Sequence, residues 1–533
     1  MLDAADLPDH QLLTPPICIV GAGAAGAAMA LEFAGSGIEV LVLDACQPDT
    51  QAPRASIRHA LKQTLDSRRY AGRCLPLSDM ELAARRHLPD SGWPLAADAL
   101  AAYYPRALKL SESEASAVSH GRDLALARLP LIADLADSPF ECQALDRYNA
   151  PIELRRVHRR RLAAAANVCM VGNATVTGLG LNSAGTAVDT VIAQTPDHRR
   201  LVIRAKTVVL AIGALETARL LLASRDVQRD GIGNGHGNVG RYLLSPLKGT
   251  LGMVHLRQPP VAIWRRERSS RFSRRPLSLN ADTQNRLQLP AIALRLRTLD
   301  TDDRIAAALT RLGRSAAAQH RYRIDWQAEQ RPTPSSRVIL GGSHDAYGRP
   351  EWVIDWQTSL ADGESLRRSL GLFDEALRAC GAGSFDHDPA AASVTMAHTG
   401  IPDACLLGGA RMGRDPRNSV VDGDGRVHGL VNLFVTGPAV FPTSGLDDPM
   451  LTLTALALRL ADHLKQREAR ARLPEVSLAR AYARSEPATA APRRSERAAA
   501  ALLESDQPGG SAAGRSATSV RRSRPNTRGP RTR

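Results

Sequence analysis

The chain has 533 residues, 44% of them apolar, with a formal net charge of +15. That length supports a large core, and no stretch approaches the ~20 consecutive apolar residues of a membrane span, so an integral membrane helix is excluded. The charge suggests nucleic acid until its distribution is read: residues 507–533 hold seven arginines and no acid. A segment this rich in Arg, Ser, Gly and Pro cannot bury enough apolar surface to offset chain entropy, so residues 469–533 are expected to be a disordered basic tail. It lacks interleaved aromatics, and no nucleic-acid partner is expected.

Met1 to Pro16 carries acids at Asp3, Asp6 and Asp9 and no basic start before an apolar run, which argues against a secretory signal and makes the cytoplasm the expected compartment. Seven cysteines (18, 46, 74, 142, 169, 380 and 405) are scattered without metal-ligand spacing. Neither a disulfide frame nor a metal site is expected.

In chain order, the apolar run Ile17-Cys18-Ile19-Val20 ends at Gly21-Ala22-Gly23-Ala24-Ala25-Gly26, and helix-forming residues follow to Phe33. Strand, tight turn and helix in this order form a phosphate cradle. Gly21 and Gly23 let the backbone turn and approach a pyrophosphate, Gly26 lets the helix pack on the strand, and the helix N-terminus offers unpaired N–H groups. A second strand, Glu39 to Leu43, ends at Asp44, 18 residues after Gly26, where a carboxylate can accept ribose hydroxyls. These residues predict a dinucleotide and leave FAD and NAD both open.

The middle of the chain favours FAD. Val168 to Gly180 and Leu201 to Gly213 read as strands, the second passing through a glycine turn at Gly213 into a helix from Leu215 to Ser224. Such a turn brings backbone to a dinucleotide a second time. From Lys248 to Ser393 glycine motifs stop, and Val254 to Leu256, Ala291 to Leu296, Tyr322 to Trp326, Arg337 to Leu340 and Glu351 to Trp356 read as strands of one sheet. The spacing from Ser365 to Cys380 predicts an amphipathic helix covering that sheet. Asn432 to Thr436 then reads as a buried strand ending at Gly437, where a missing side chain allows close approach of the dinucleotide's flavin end. Asp448-Pro449 opens a helical run from Met450 to Lys465, with aspartate as N-cap and proline at the first position.

The two ends, Gly21 to Gly26 and Gly408-Gly409-Ala410-Arg411-Met412-Gly413 through Phe441-Pro442-Thr443-Ser444-Gly445, together resemble the glucose-methanol-choline family of flavin oxidoreductases. The resemblance implies an α/β fold: a Rossmann-like FAD-binding domain built from N-terminal, middle and C-terminal segments, interleaved with an α+β substrate domain containing an antiparallel sheet. The expected boundaries are FAD-binding segments at 14–75, 151–247 and 399–468, an insertion on the substrate side at 76–150, and a substrate domain at 248–398. It also implies non-covalent FAD, a backbone contact from Val176 to adenine, and a helix start at Pro449 and Met450 aimed at the flavin ring. The implied activity is oxidation of a small alcohol by hydride transfer to flavin N5; the electron acceptor is unassigned. An alternative is a non-redox or degenerate homologue.

The family's catalytic pair is altered. Where members place the histidine that takes the hydroxyl proton stands Cys405, and its usual partner before the proline of the final helix is Asp448. A thiol of pKa ~8.5 and a carboxyl of ~3.9 are poor bases at neutrality unless their surroundings shift them. His398 is the nearest substitute base. The segment 64–74 also departs from relatives that are glycine-rich there.

Overall fold

The computed structural model describes residues 2–45, 69–70, 76–110, 130–133, 135, 138–142, 146–148, 152–261, 263–266, 272–298, 320–388, 406–446 and 449–472. His398, Cys405, Asp448, the 64–68 and 71–74 segments and the tail beyond Arg472 lie outside them.

Three short apolar strands, Ile17–Val20, Val40–Leu43 and Thr207–Leu210, are buried at every position. Continuous apolar runs of this kind suit a parallel sheet covered on both faces. The sheet has six strands, all pairs parallel, in the order Leu2–Asp3, Val168–Gly172, Val40–Leu43, Ile17–Val20, Thr207–Leu210, Leu433–Val435. Thr207–Leu210 pairs with Ile17–Val20 on one side and Leu433–Val435 on the other, so it draws the two distant signatures together. Helix Ala24–Phe33 is apolar on all sides and buried at nine of ten positions, as a helix enclosed by neighbours must be. Thr175–Leu181, Val188–Gln194, Arg200–Ile203 and Gln11–Leu13 form a separate four-stranded sheet.

A second core lies in an antiparallel sheet ordered Gly383–Asp386, Leu247–Leu256, Arg321–Ala328, Ile292–Arg297, Leu277–Leu279, Phe140–Glu141. Leu294, Leu296, Ile324 and Trp326 share one face and pack with Leu366, Leu370, Phe373 and Leu377 of the helix Leu360–Ala379. The amphipathic spacing thus covers the sheet as expected. The helix starts five residues before the expected Ser365, because Ser359 and Asp362 form a reciprocal capping box.

One expectation needs correction. Arg337–His344 and Pro350–Asp355 do not join this sheet but form a two-stranded sheet of their own. Their turn is fixed by Asp345, whose carboxylate accepts the N–H groups of Tyr347 and Arg349. Val338, Trp352 and Ile354 place the hairpin's apolar side on Ala214, Leu215 and Ala218 of helix Gly213–Ala223. The apolar surface of that helix competes successfully for a hairpin that strand propensity alone assigned to the larger sheet.

Candidate functional site

The glycine loop is built by collision limits. Gly21 sits at φ +101°, donates its N–H to Leu43 O at 2.7 Å, and lies so close to Ala211 that a Cβ would come within 2.6 Å of its carbonyl oxygen. At Gly26 a Cβ would stand 1.9 Å from Gly21 O, so the helix rests directly on the loop. Gly23 is the N-cap of Ala24–Phe33 and supplies no side-chain cap, which leaves the first-turn N–H groups facing outward as anion donors. Gly213, at φ +83°, opens the next helix immediately after the Ala211 contact. From the C-terminal signature, Gly437 at φ +89° brings its Cα face to within 3.5 Å, for a built Cβ, of Ala25. Four of the expected glycines therefore converge on one helix start, with the fifth, Gly23, capping it.

Beside Gly437, the Thr436 hydroxyl is buried and has no hydrogen-bond partner among the described residues. Pro449 and Met450 begin the helix Met450–Arg472: Leu453 N–H donates to Pro449 O at 2.8 Å and the Thr454 hydroxyl to Met450 O at 2.9 Å.

Asp44 and Val176 mark the other end of the cradle. Asp44 donates its N–H to Val171 O and accepts from Ala174 N–H at 2.8 Å, and Asn173 turns the chain at φ +55°. Val176, two residues beyond Ala174, is therefore carried toward the same strand end. Two arginines that the sequence reading missed act here. Arg155 Nη1 pairs with Asp44 Oδ2 at 2.5 Å in a mostly buried contact. Arg349 Nη1 donates to Val176 O at 3.2 Å, so the hairpin holds the backbone of the residue expected to contact adenine. Neither pairing follows from spacing, since the partners are 111 and 173 residues apart.

Arg411 of the Gly-Gly-Ala-Arg-Met-Gly segment stacks on Tyr242 at 4.3 Å and donates Nη2 to Asp90 O at 2.6 Å. Burial pulls its guanidinium below its ordinary pKa. This side chain ties the C-terminal signature to the 79–95 region. There Trp93 reaches Thr443 by a 3.1 Å Nε1 hydrogen bond and Phe441 by an edge contact at 5.0 Å. Cys18, Cys169 and Cys380 are free, and burial pushes the Cys18 thiol up to about 12, so Cys18 is inert packing. No group of metal-ligating side chains exists among the described residues.

The glycine turn at Gly21, the helix start after Gly23 with its uncapped first turn, and the positive-φ glycines Gly213 and Gly437 fit a pyrophosphate-linked dinucleotide. Parallel sheet, cradle and carboxylate together define a Rossmann-like dinucleotide-binding α/β scaffold. Residues 332–457 match the GMC oxidoreductase family and residues 14–75 an FAD binding domain. Paromamine 6'-oxidase of Streptomyces fradiae is 30% identical over 262 residues, 49% of this chain and 45% of its own length. The fructose dehydrogenase large subunit of Gluconobacter japonicus is 29% identical over 289 residues, 50% of this chain and 48% of its own. The chain spans about half the length of these curated relatives. The solved structure of pyridoxine 4-oxidase from Mesorbium loti aligns with 85% of this chain and 99% of its own, at a TM-score of 0.51 and 18% identity, a likeness of fold. Over these two segments the chain is similar to GMC oxidoreductases and to FAD binding domains, and the matches support FAD as its cofactor.

Proposed function

We propose that the protein is an FAD-dependent oxidoreductase that oxidises a CH–OH group of a small organic substrate. The observation that carries this reading is the convergence of Gly21, Gly26, Gly213 and Gly437 on the start of helix Ala24–Phe33, with the start of helix Met450–Arg472 supplied by the same C-terminal segment. FAD, when bound, supplies the hydride acceptor. The chain's part is to hold the diphosphate on the N–H groups at Gly23 to Ala25, the ribose on Asp44, and the adenine beside Val176. The helix that starts after Pro449 presents its first N–H groups, from Met450 onward, and their partial positive charge favours an anion at the ring end. The proton of the substrate hydroxyl goes to one of Cys405, Asp448 or His398. Cys405 and Asp448 stand where the family keeps its pair, and His398 is the substitute with a pKa naturally near neutrality.

The domain reading is part of the proposal: FAD-binding segments 14–75, 151–247 and 399–468, a 76–150 insertion, a 248–398 substrate domain and a 469–533 tail. Cytoplasmic location is likewise proposed; no described helix is long and apolar enough to cross a membrane. The activities printed for the relatives, oxidation of paromamine or dehydrogenation of fructose, support an alcohol-type substrate. The test is anaerobic incubation of the FAD-loaded protein with a panel of alcohols. Product lacking two hydrogens should appear in proportion to flavin bleached. Flavin that stays oxidised with every alcohol, in protein shown to be fully loaded, contradicts the reading.

A further inference from the structure

Helix Tyr104–Leu110 belongs to neither of the two distant signatures, yet it grips a helix from each. Its Arg106 guanidinium pairs with Asp462 at 2.6 Å and with Glu32 at 2.8 Å. Lys465 closes the ring of charges, 2.5 Å from Glu32 and 3.2 Å from Asp462. Glu32 lies near the end of helix Ala24–Phe33, and Asp462 and Lys465 lie one turn apart on helix Met450–Arg472. Two cations and two anions therefore join the helix that starts at the diphosphate cradle to the helix supplied by the C-terminal segment. Their side chains are 22–37% exposed, and a network of this kind holds its geometry better than an isolated surface pair. Against the cost of burial, hydrogen bonds from Arg106 and Lys465 hold the Asp462 carboxyl below its ordinary pKa.

Tyr104, two residues before Arg106, holds the other end of the same long helix. Its hydroxyl lies 3.3 Å from Thr452 Oγ1 and accepts the Leu77 N–H at 3.3 Å. Thr452 is the third residue of Met450–Arg472 and is buried, as is Tyr104, whose phenol burial keeps protonated by raising its pKa. From Thr452 to Asp462 the helix rises about 15 Å, at ~1.5 Å per residue. Helix Met450–Arg472 is thus held at two well-separated points by one short helix, at its first turn by a hydrogen bond and at its middle by charge. A rod fixed at two points can neither slide nor tilt, so the position of its first N–H groups relative to the glycine loop is set by Tyr104 and Arg106 together.

We propose that Tyr104 and Arg106 are positioning residues for the flavin: they hold the start of helix Met450–Arg472 in place against the diphosphate cradle and so set how strongly its N–H groups favour the reduced ring. A ring that gains electron density on reduction is favoured by nearby N–H groups, and a helix start displaced from it lowers the flavin's reduction potential. The inference rests on the proposed oxidoreductase reading, which puts that helix start at the flavin ring.

The experiment uses FAD-loaded full-length protein, its reduction potential measured anaerobically against a reference dye, and FAD affinity measured by titration of the apoprotein. Tyr104→Phe removes the hydroxyl and keeps the ring. It should lower the reduced-to-oxidised ratio at a given potential by about two- to fivefold, the range of one helix-terminus charge interaction, which is about 9–21 mV for two electrons at ~30 mV per tenfold. Thr452→Val should do the same, and the two together no more, because they remove one bond. Arg106→Met should lower the potential and weaken FAD binding by about two- to fivefold, the scale of a partly exposed ion pair, with Arg106→Lys recovering part of both. Arg367→Met, which removes an exposed 2.6 Å pair with Glu364 on the second core, should change neither. Lost stability alone does not move the potential of fully loaded protein, so the potential separates positioning from support of the fold. If Tyr104→Phe takes up no FAD, Thr452→Val carries the measurement from the helix side. Potentials unchanged in the loaded variants, or effects of Tyr104→Phe and Thr452→Val that simply add, overturn the inference. Flavin bleached by alcohols with unchanged potentials overturns the inference and leaves the oxidoreductase reading intact. Lowered potentials in protein that no alcohol bleaches do the reverse.

Discussion

Gly26→Ala is the sharpest test of the cradle. The added Cβ would stand 1.9 Å from Gly21 O, whereas real Cβ atoms essentially never approach closer than 3.0 Å. Helix and loop must therefore separate by at least 1.1 Å, the difference between those two distances. The contact is backbone on both sides, with the helix buried at nine of ten positions, so no flexible side chain can absorb the shift. Overpacking of this kind costs about 1–3 kcal/mol. If the displaced first turn carries that cost into cofactor binding, FAD affinity falls by about 5- to 150-fold, at 1.4 kcal/mol per tenfold. Titration of apoprotein with FAD, followed by flavin fluorescence, reads the change directly. A dissociation constant within twofold of wild type, in folded protein, would refute the claim that this close contact shapes the phosphate site.

Other substitutions separate the parts of the account. Gly437→Ala meets only an ordinary 3.5 Å contact with Ala25 but is forced into a left-handed backbone conformation, so it should lower thermal stability by about 1–2 kcal/mol; an unchanged Tm argues against the strain. Arg155→Met removes one charged hydrogen-bond partner of the buried Asp44 carboxylate and should destabilise the fold by about 1.5–3 kcal/mol, readable by urea unfolding; a change below about 0.5 kcal/mol, on the ~0.2–1 scale of exposed pairs, would mark it as a surface contact. Burial, with Arg85 and Arg331 nearby, holds His87 below the ordinary imidazole pKa, so the folded chain binds fewer protons than the unfolded one. Its contribution is complete above about pH 6.5 and is lost as pH falls below that value, and His87→Gln should flatten the decline of Tm on acidification; an identical slope in both proteins contradicts it. With its thiol pushed to about 12, Cys18 carries about one thiolate in ten thousand at pH 8 and should be the last described cysteine to react with iodoacetamide in the native state; early labelling would show that the strand is open.

The parallel sheet was legible because its strands are unbroken apolar runs and its glycines have fixed jobs. Ala24–Phe33 and Gly213–Ala223 start at or within two residues of where the pattern places them. The hairpin Arg337–His344 with Pro350–Asp355 was misassigned because β-propensity identifies a strand but not its partner, and the decisive partner is the apolar side of a helix more than a hundred residues earlier. Asp44 was found by its spacing from Gly26, but Arg155 and Arg349 were not, since ion pairs across the fold leave no period in the chain. The sheet's two faces left a readable trace: Ile292, Leu294 and Leu296 turn toward the core and alternate with Ala293, Arg295 and Arg297 on the other face. The proton acceptor, among Cys405, Asp448 and His398, is assigned from sequence alone.

The most direct test of the central claim is the rate of anaerobic flavin reduction by the best alcohol of the panel, compared with the same alcohol deuterated at the carbinol carbon. Slower bleaching of the protein-bound flavin with the deuterated compound, with one flavin reduced per product formed, is the predicted result. FAD-loaded protein whose flavin is not reduced, or is reduced at a rate independent of deuteration and of alcohol concentration, would contradict it.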